Sequence, residues 1–345
     1  MVCAIGKENA VANNVKIAFI GSGGIVQSHL DQGLKEFEDV KFVGWCDLNE
    51  RTAQARRQQV DGQGRIYTDA GKMLDETKPD AVYIMLPPFA HGPAEDEVIK
   101  RKLPFFIEKP VAIDLDTARR IAEGVEKYNL ITSVGFMTRY RKSVQRVREL
   151  LKKQKPVIMH GGWLGGGPVE YEGIWKWWVQ KDKSGGQFLE QTIHTTDLAR
   201  YLFGEVTRVY AVAVKDRRER PDFFTIEDAS MVQLSFANGA AANLYSSCST
   251  PVGQGIFLHV WATEMKAEFT GWEHKVRIEL SGGEEISIPG ETNIFAQEDR
   301  AFIDSVKAGK KKGLLSTYED GLKATAVACA ANESMKSGKT MEINL

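Results

Sequence analysis

The sequence predicts an α/β protein in two parts: a doubly wound parallel sheet, then an α+β part built on a mainly antiparallel open sheet. Three observations predict it. From Val15 to about residue 134, short apolar runs alternate with helical stretches. The first run ends at a glycine cluster that opens a helix. From Val206 to Leu280, strand-like runs follow one another with only turn signals between them. Alternation implies βαβ units and a parallel sheet, whereas consecutive strands joined by short turns favour antiparallel pairing. A length of 345 residues, read at about 150 residues per domain, fits two such units.

The first run, Val15-Lys-Ile-Ala-Phe-Ile20, is rich in the residues that fill a buried strand. Further runs stand at 41–46, 81–86, 104–107 and 131–134, with helical segments near 51–60, 91–100 and 115–127 between them. Such crossovers are almost always right-handed, so the strands wind into one sheet with helices on both faces. The second part opens with a helical stretch (143–153) and a strand (157–163). A segment rich in glycine and tryptophan then leads to a helix at 187–202. Strands follow at 206–214, 228–237, 240–248, 255–262, 266–269 and 276–280, and helices at 294–308 and 318–335 close the chain.

Composition narrows the function classes. The chain is 43% hydrophobic and 26% charged, ordinary for a globular protein. Its 45 basic and 46 acidic residues leave a net charge of −1, so no global positive field holds a polyanion and no nucleic-acid partner is expected. The basic clusters 152–155, 217–220 and 310–312 read as solvated loops and helix ends. Four scattered cysteines (Cys3, Cys46, Cys248, Cys329) contain no C-x-x-C pair. They fit reduced thiols in the cytoplasm better than a disulfide frame or a zinc site, and no metal is expected. Residues 1–14 read as a polar extension, not a secretion signal, and no run approaches the roughly 18 apolar residues of a membrane span.

The glycine cluster is Gly21-Ser22-Gly23-Gly24-Ile25-Val26. The first glycine permits a tight turn and the second lets backbone approach a pyrophosphate. The helix behind them points free N–H groups and its positive dipole end at the phosphates. Val26 occupies the third fingerprint position, where glycine or alanine is usual. Asp47 ends the second strand, 24 residues beyond Gly23. A carboxylate there accepts from adenosine ribose hydroxyls and repels a 2′-phosphate. Leu48 and Asn49 follow with no adjacent base, which favours NAD over NADP, while Arg51 keeps NADP open.

The strand 104–107 ends in Glu108-Lys109-Pro110. Ligands of open α/β sheets lie outside the carboxyl ends of the strands, so Lys109 is aimed at the nicotinamide site. Desolvation and a cationic ring should lower its pKa, suiting it to orient a substrate hydroxyl and share in its deprotonation.

These motifs together resemble the Gfo/Idh/MocA oxidoreductases, the family of glucose–fructose oxidoreductase and inositol dehydrogenase. The resemblance rests on the glycine loop with His29 behind it, Cys46-Asp47, Leu86-Pro87-Pro88 leading to His91, and Glu108-Lys109-Pro110. It runs from about Val15 to Leu345. It implies a dinucleotide-binding Rossmann domain (15–134) and a substrate-binding and oligomerisation domain (135–345), whose last helices are free to pack back on the first. It also implies cofactor contacts from the loop, Asp47, Leu48, Leu86, Pro87, His91, Glu108 and Lys109. The segment from Ser184 to Asp197 resembles the family's G-G-x-L-x-D-x-G-x-H-x-x-D stretch. The resemblance therefore pairs His194 with Lys109 as acid–base groups, assisted by Glu190. Glu190 stands where aspartate is commoner, and Thr192 where glycine is common. On one helix, Glu190 and His194 would lie a turn apart on one face. Histidine suits proton transfer because its ordinary pKa lies near working pH.

Six of the seven tryptophans lie beyond residue 160, among them Trp163, Trp175, Trp177 and Trp178. Flat aromatic faces cover the C–H face of a sugar ring, or they pack the sheet. The resemblance makes Arg139 and Tyr140 the leading substrate-side candidates, with Trp163 and Gln191 behind them. The expected activity is hydride transfer from a secondary hydroxyl of a sugar, cyclitol or glycoside to NAD, by a homodimer or homotetramer. Two other readings stay open: an epimerase or elimination-type enzyme that uses bound NAD transiently, and a non-catalytic NAD-binding sensor.

Overall fold

The computed structural model describes residues 14–168, 170–217 and 219–344. The polar extension up to residue 13, with Cys3, and Arg218 and Leu345 lie outside the described residues. The first half contains β1 (Val15–Ile20), α1 (Gly24–Asp31), β2 (Val40–Cys46), α2 (Glu50–Gln58), β3 (Arg65–Tyr67), α3 (Ala70–Thr77), β4 (Ala81–Ile84), α4 (Pro93–Lys100), β5 (Phe105–Ile107), α5 (Leu115–Lys127) and β6 (Thr132–Val134). Its strands form one parallel sheet in the order β3-β2-β1-β4-β5-β6. The chain starts in the middle, winds outward to β3, then crosses to β4 and winds the other way. The carboxyl ends of β1 and β4 therefore flank a switch point, where such sheets bind ligands. Helix starts are set locally: Asn49, Asp69 and Asp114 each accept a backbone N–H of the first turn they cap.

The second half contains α6 (Lys142–Leu151), β7 (Pro156–Leu164), α7 (Trp175–Trp178), α8 (Lys181–Ser184), α9 (Gln187–Glu190) and α10 (Ile193–Phe203). Then come β8 (Val206–Val214), β9 (Ala229–Phe236), β10 (Ala241–Ser247), β11 (Gly255–Ala262), β12 (Met265–Thr270), β13 (Lys275–Leu280) and β14 (Glu285–Ile288). The helices α11 (Phe295–Ala308) and α12 (Tyr318–Ser337) and the short β15 (Met341–Glu342) complete the chain. The sheet order is β14-β13-β12-β11-β7-β10-β9-β8-β15. All its pairs are antiparallel except β7 with β10, which run parallel. That exception follows from connectivity, because the chain between β7 and β8 passes through four helices and β10 returns beside β7 in the same sense.

Two expectations need correction in detail. The helix expected at 187–202 is two helices, α9 and α10. The Thr192 N–H reaches back five residues to the Gln187 carbonyl (3.0 Å), and this widened turn separates them. The strands β3 and β14 and the helix α3 lie where no element was expected.

One face of the large sheet is packed by α6, α10 and α12. The other leaves Ile158, Tyr210, Val212 and Met231 exposed. The two closing helices tie the halves together. Helix α11 sends Phe302 and Ile303 into the core on one side of the parallel sheet. Helix α12 sends Tyr318 and Ala324 into the core on the other side, and Val327, Ala328 and Ala331 into the core of the large sheet. Ser316 Oγ donates to the Val134 carbonyl (2.7 Å), and the Tyr318 N–H donates to Thr132 Oγ1 (3.0 Å). Fully burying a side chain such as Phe302 contributes about 1.5–3 kcal/mol.

Candidate active site

The loop between β1 and α1 sits at the switch point. Gly21 has φ +87°, and a Cβ there would run into the Met85 carbonyl, so only glycine fits the turn. Gly23 and Gly24 are different, since a Cβ on either would meet nothing within 4 Å. Above them lies open space bounded by the first turn of α1, which has no side-chain cap and no acidic residue. Asp47 braces the loop, its carboxylate accepting the N–H of Ser22 and that of Asn49, both at 2.8 Å. Open backbone over an uncapped helix start, beside a carboxylate at the end of β2, fits a dinucleotide.

From this loop a cleft of about 560 Å³ runs between the halves of the chain. Gly23, Gly24, Ile25, Leu86, Pro87, Glu108 and Lys109 line it from the first half, and Trp163, Glu190, Gln191 and His194 from the second. Lys109 reaches across: its Nζ donates to the Glu190 carbonyl (2.9 Å) and to Glu190 Oε1 (3.3 Å). The other carboxylate oxygen of Glu190 accepts from the Trp178 indole (2.5 Å). The break between α9 and α10 makes this possible, because Glu190 ends one helix while His194 sits in the first turn of the next. His194 is half-buried on the cleft wall, and its inaccessible Nδ1 has no hydrogen-bond partner among the described residues. Desolvation pushes its pKa well below 6.5, and the positive charges of Lys109 and Arg141 add to that shift, so the ring is neutral.

Beneath the cleft, Glu108 and Asp299 hold His29 between them. His29 Nδ1 lies 2.9 Å from Asp299 and Nε2 lies 3.3 Å from Glu108 Oε1. Gly135 makes room for this carboxylate, as a Cβ there would lie 2.6 Å from Glu108 Oε1.

Several expected contacts fall elsewhere. Arg139 does not reach the cleft. It is 4% exposed, and its Nε and Nη2 donate to the Asp197 carboxylate at 2.8 and 2.6 Å, with Asp320 on its remaining side. Tyr140 is buried too, its hydroxyl accepting the Leu315 N–H. Both fasten the second half to the closing helices. His91 is buried beside α4, paired through Nδ1 with Glu95 (2.7 Å). Val26 packs in the core, Ser22 is fully buried with only its backbone on the Asp47 side, and Leu48 projects into solvent. Asp197 is spent on Arg139, and among the described residues no three His, Cys, Asp or Glu side chains gather to hold a metal. Likewise, no helix among them is long and apolar enough to cross a membrane.

Residues 15–136 match the family described as "Oxidoreductase family, NAD-binding Rossmann fold", and residues 144–268 match the "GFO/IDH/MocA C-terminal domain". The chain belongs to the Gfo/Idh/MocA oxidoreductase family. It is 25% identical over 345 residues to scyllo-inositol 2-dehydrogenase (NAD(+)) of Bacillus subtilis, covering 96% of this chain and 97% of that one. It is 24% identical over 341 residues to myo-inositol 2-dehydrogenase of Thermotoga maritima, covering 95% and 98%. Among solved structures, levoglucosan dehydrogenase in complex with NADH matches with a TM-score of 0.87 at 17% identity, over 96% of this chain and 99% of that one.

The first half of this Gfo/Idh/MocA oxidoreductase is thus the NAD-binding unit, and the second supplies the opposite wall of the cleft. That wall holds residues the motifs did not single out. Trp272, in the turn after β12, lies 6.2 Å ring to ring from His194. Trp175, Trp177 and Trp178 all line the cleft from α7. The crowding of tryptophans in 163–178 was the available signal for α7, whereas nothing local marks Trp272.

Proposed function

We propose that this Gfo/Idh/MocA oxidoreductase oxidises a secondary hydroxyl of a sugar, cyclitol or glycoside with NAD as hydride acceptor. The observation that carries this reading is Lys109 from one half and His194 from the other on the walls of a single cleft. NAD, when bound, supplies a two-electron acceptor that takes the hydride from the carbinol carbon. Everything else falls to the chain. Lys109 orients the substrate oxygen through its ammonium, and His194, neutral and half-buried on the cleft wall, takes the hydroxyl proton as the carbonyl forms. Glu190 holds the Lys109 ammonium in place. Asp47 favours NAD over NADP by repelling a 2′-phosphate.

Inositol dehydrogenases among the relatives and a levoglucosan dehydrogenase among the structural neighbours support the substrate class. Residues 15–134 serve as the cofactor domain and residues 135–345 as the substrate and oligomerisation domain. The enzyme works in the cytoplasm as a homodimer or homotetramer, with the exposed face of the large sheet covered by another copy. The test is NADH formation from NAD over a panel of sugars, inositols and glycosides. Lys109→Ala should lower kcat/KM by about 10²-fold or more. Activity unchanged by that substitution overturns the mechanism.

A further inference from the structure

Five indoles face the cleft, and they come in two groups. Trp163 from β7 and Trp272 from the turn after β12 stand 5.9 Å apart, while Trp175 and Trp178 of α7 meet edge to face at 4.8 Å beside Trp177. Trp177 continues the aromatic surface outward, its ring 6.0 Å from that of Phe89 on the first half. Phe89 and Ile174 are 45% and 58% exposed, so the apolar surface runs from the floor of the cleft to its mouth.

The polar groups on this wall are few and mostly committed. Glu190 spends one carboxylate oxygen on Lys109 and the other on Trp178. The Gln191 carbonyl oxygen accepts from Gln187 (3.0 Å). Apart from indole N–H groups, the Gln191 amide nitrogen, the His194 ring and the one remaining proton of Lys109 are left for substrate. A free cyclitol carries a hydroxyl on every ring carbon, and each one buried without a partner is penalised. These groups serve the reacting edge of one sugar ring, while the rest of the wall offers mainly the flat apolar faces of indoles, which suit an aromatic group better than further hydroxyls.

From this we infer that the substrate is an aryl glycoside, its sugar ring at Lys109 and His194 and its aromatic aglycone on the Trp177, Phe89 and Ile174 rim. The inference rests on the oxidoreductase reading above. One sugar C–H gives its hydride to NAD and the attached O–H gives its proton to His194. A keto-glycoside and NADH result, and the bond to the aglycone stays intact.

The experiment compares kcat/KM for phenyl glucosides of both anomeric configurations with the matching methyl glucosides and myo-inositol, with NAD in every arm. A phenyl glucoside should exceed its methyl counterpart by about tenfold, the factor one good aromatic contact supplies. Trp177→Ala and Phe89→Ala should each collapse that ratio toward one. Should these variants fail to fold, titration of phenyl and methyl glucosides into the native protein with NADH, read by tryptophan fluorescence, keeps the comparison. Tighter binding of the phenyl compound supports the inference, and equal binding overturns it. Oxidation of inositol or methyl glucosides with no phenyl gain overturns the inference and leaves the proposed function standing. Binding of NADH with no oxidation of any compound overturns both.

Discussion

At the scale of single residues, the charge state of His194 decides how the site responds to pH. Desolvation is the main cause of its lowered pKa, and the charges of Lys109 and Arg141 reinforce it. The neutral ring is the proton-accepting form, so kcat/KM for oxidation should not fall as the pH drops through 6.5. A histidine of ordinary pKa would lose half its base form there. A profile that falls at 6.5 would show that the base is not a His194 of lowered pKa. The residues of this site were unevenly legible. The loop glycines, Asp47 and Lys109 declare themselves because their roles need a fixed residue at a fixed place after a strand. Arg139 and Tyr140 did not, because a polar side chain beside a motif reads the same whether it faces a cleft or an ion pair. Only the position of Asp197 on α10, far away in sequence, separates the two cases.

At the scale of elements, the Arg139–Asp197 pair fixes α10 against the segment that follows β6. Both side chains are nearly inaccessible, and breaking a buried pair leaves an uncompensated charge, at about 3–5 kcal/mol. Arg139→Ala should therefore lower the unfolding free energy measured by urea denaturation by about that amount, with the midpoint falling in proportion. If Arg139 instead touched substrate, the substitution would raise KM in a protein of normal stability. The split between α9 and α10 was not legible, because Gln191 and Thr192 carry no helix-breaking signal. The widening is imposed by what the two ends must do, Glu190 meeting Lys109 while Asp197 meets Arg139. Strands β1, β8 and β11 were legible to the residue because their apolar runs end at glycine, acidic or turn residues. β3 (Arg65-Ile-Tyr67) and β14 (Glu285-Ile-Ser-Ile288) were not, because they are short and interrupted by polar residues, with no apolar run such as marks β4 and β5.

At the scale of the whole molecule, acid should be the weak point. His274 is held down to about 4 mainly by burial, and His194 is lowered well below 6.5. Both rings stay neutral when folded but take up protons near 6.5 when unfolded. Their contribution is present above 6.5 and is lost as the pH falls toward 4, roughly 3 kcal/mol for His274 alone. His29 works the other way, since Asp299 and Glu108 outweigh its burial and raise its pKa. Its contribution is complete below 6.5 and fades only as the pH rises through that raised value. Thermal melts should therefore show Tm dropping between pH 6.5 and 4, and a constant Tm across that window would contradict the assignment. The exposed row of Ile158, Tyr210, Val212 and Met231 belongs to this scale too. Size-exclusion chromatography should give a dimer or tetramer, and Val212→Lys with Met231→Lys should shift it to the monomer.

Helix α12 threads its first turns into one core and its later turns into another, with Gly321 set 2.5 Å (as a Cβ) from Val111 and close to Val134. During synthesis, β1 to β6 emerge from the ribosome long before the segment that finishes their packing. The nascent Rossmann half must wait with one flank uncovered until the last helix is made. Chains truncated before residue 318 should leave that flank exposed and aggregate, which light scattering would check.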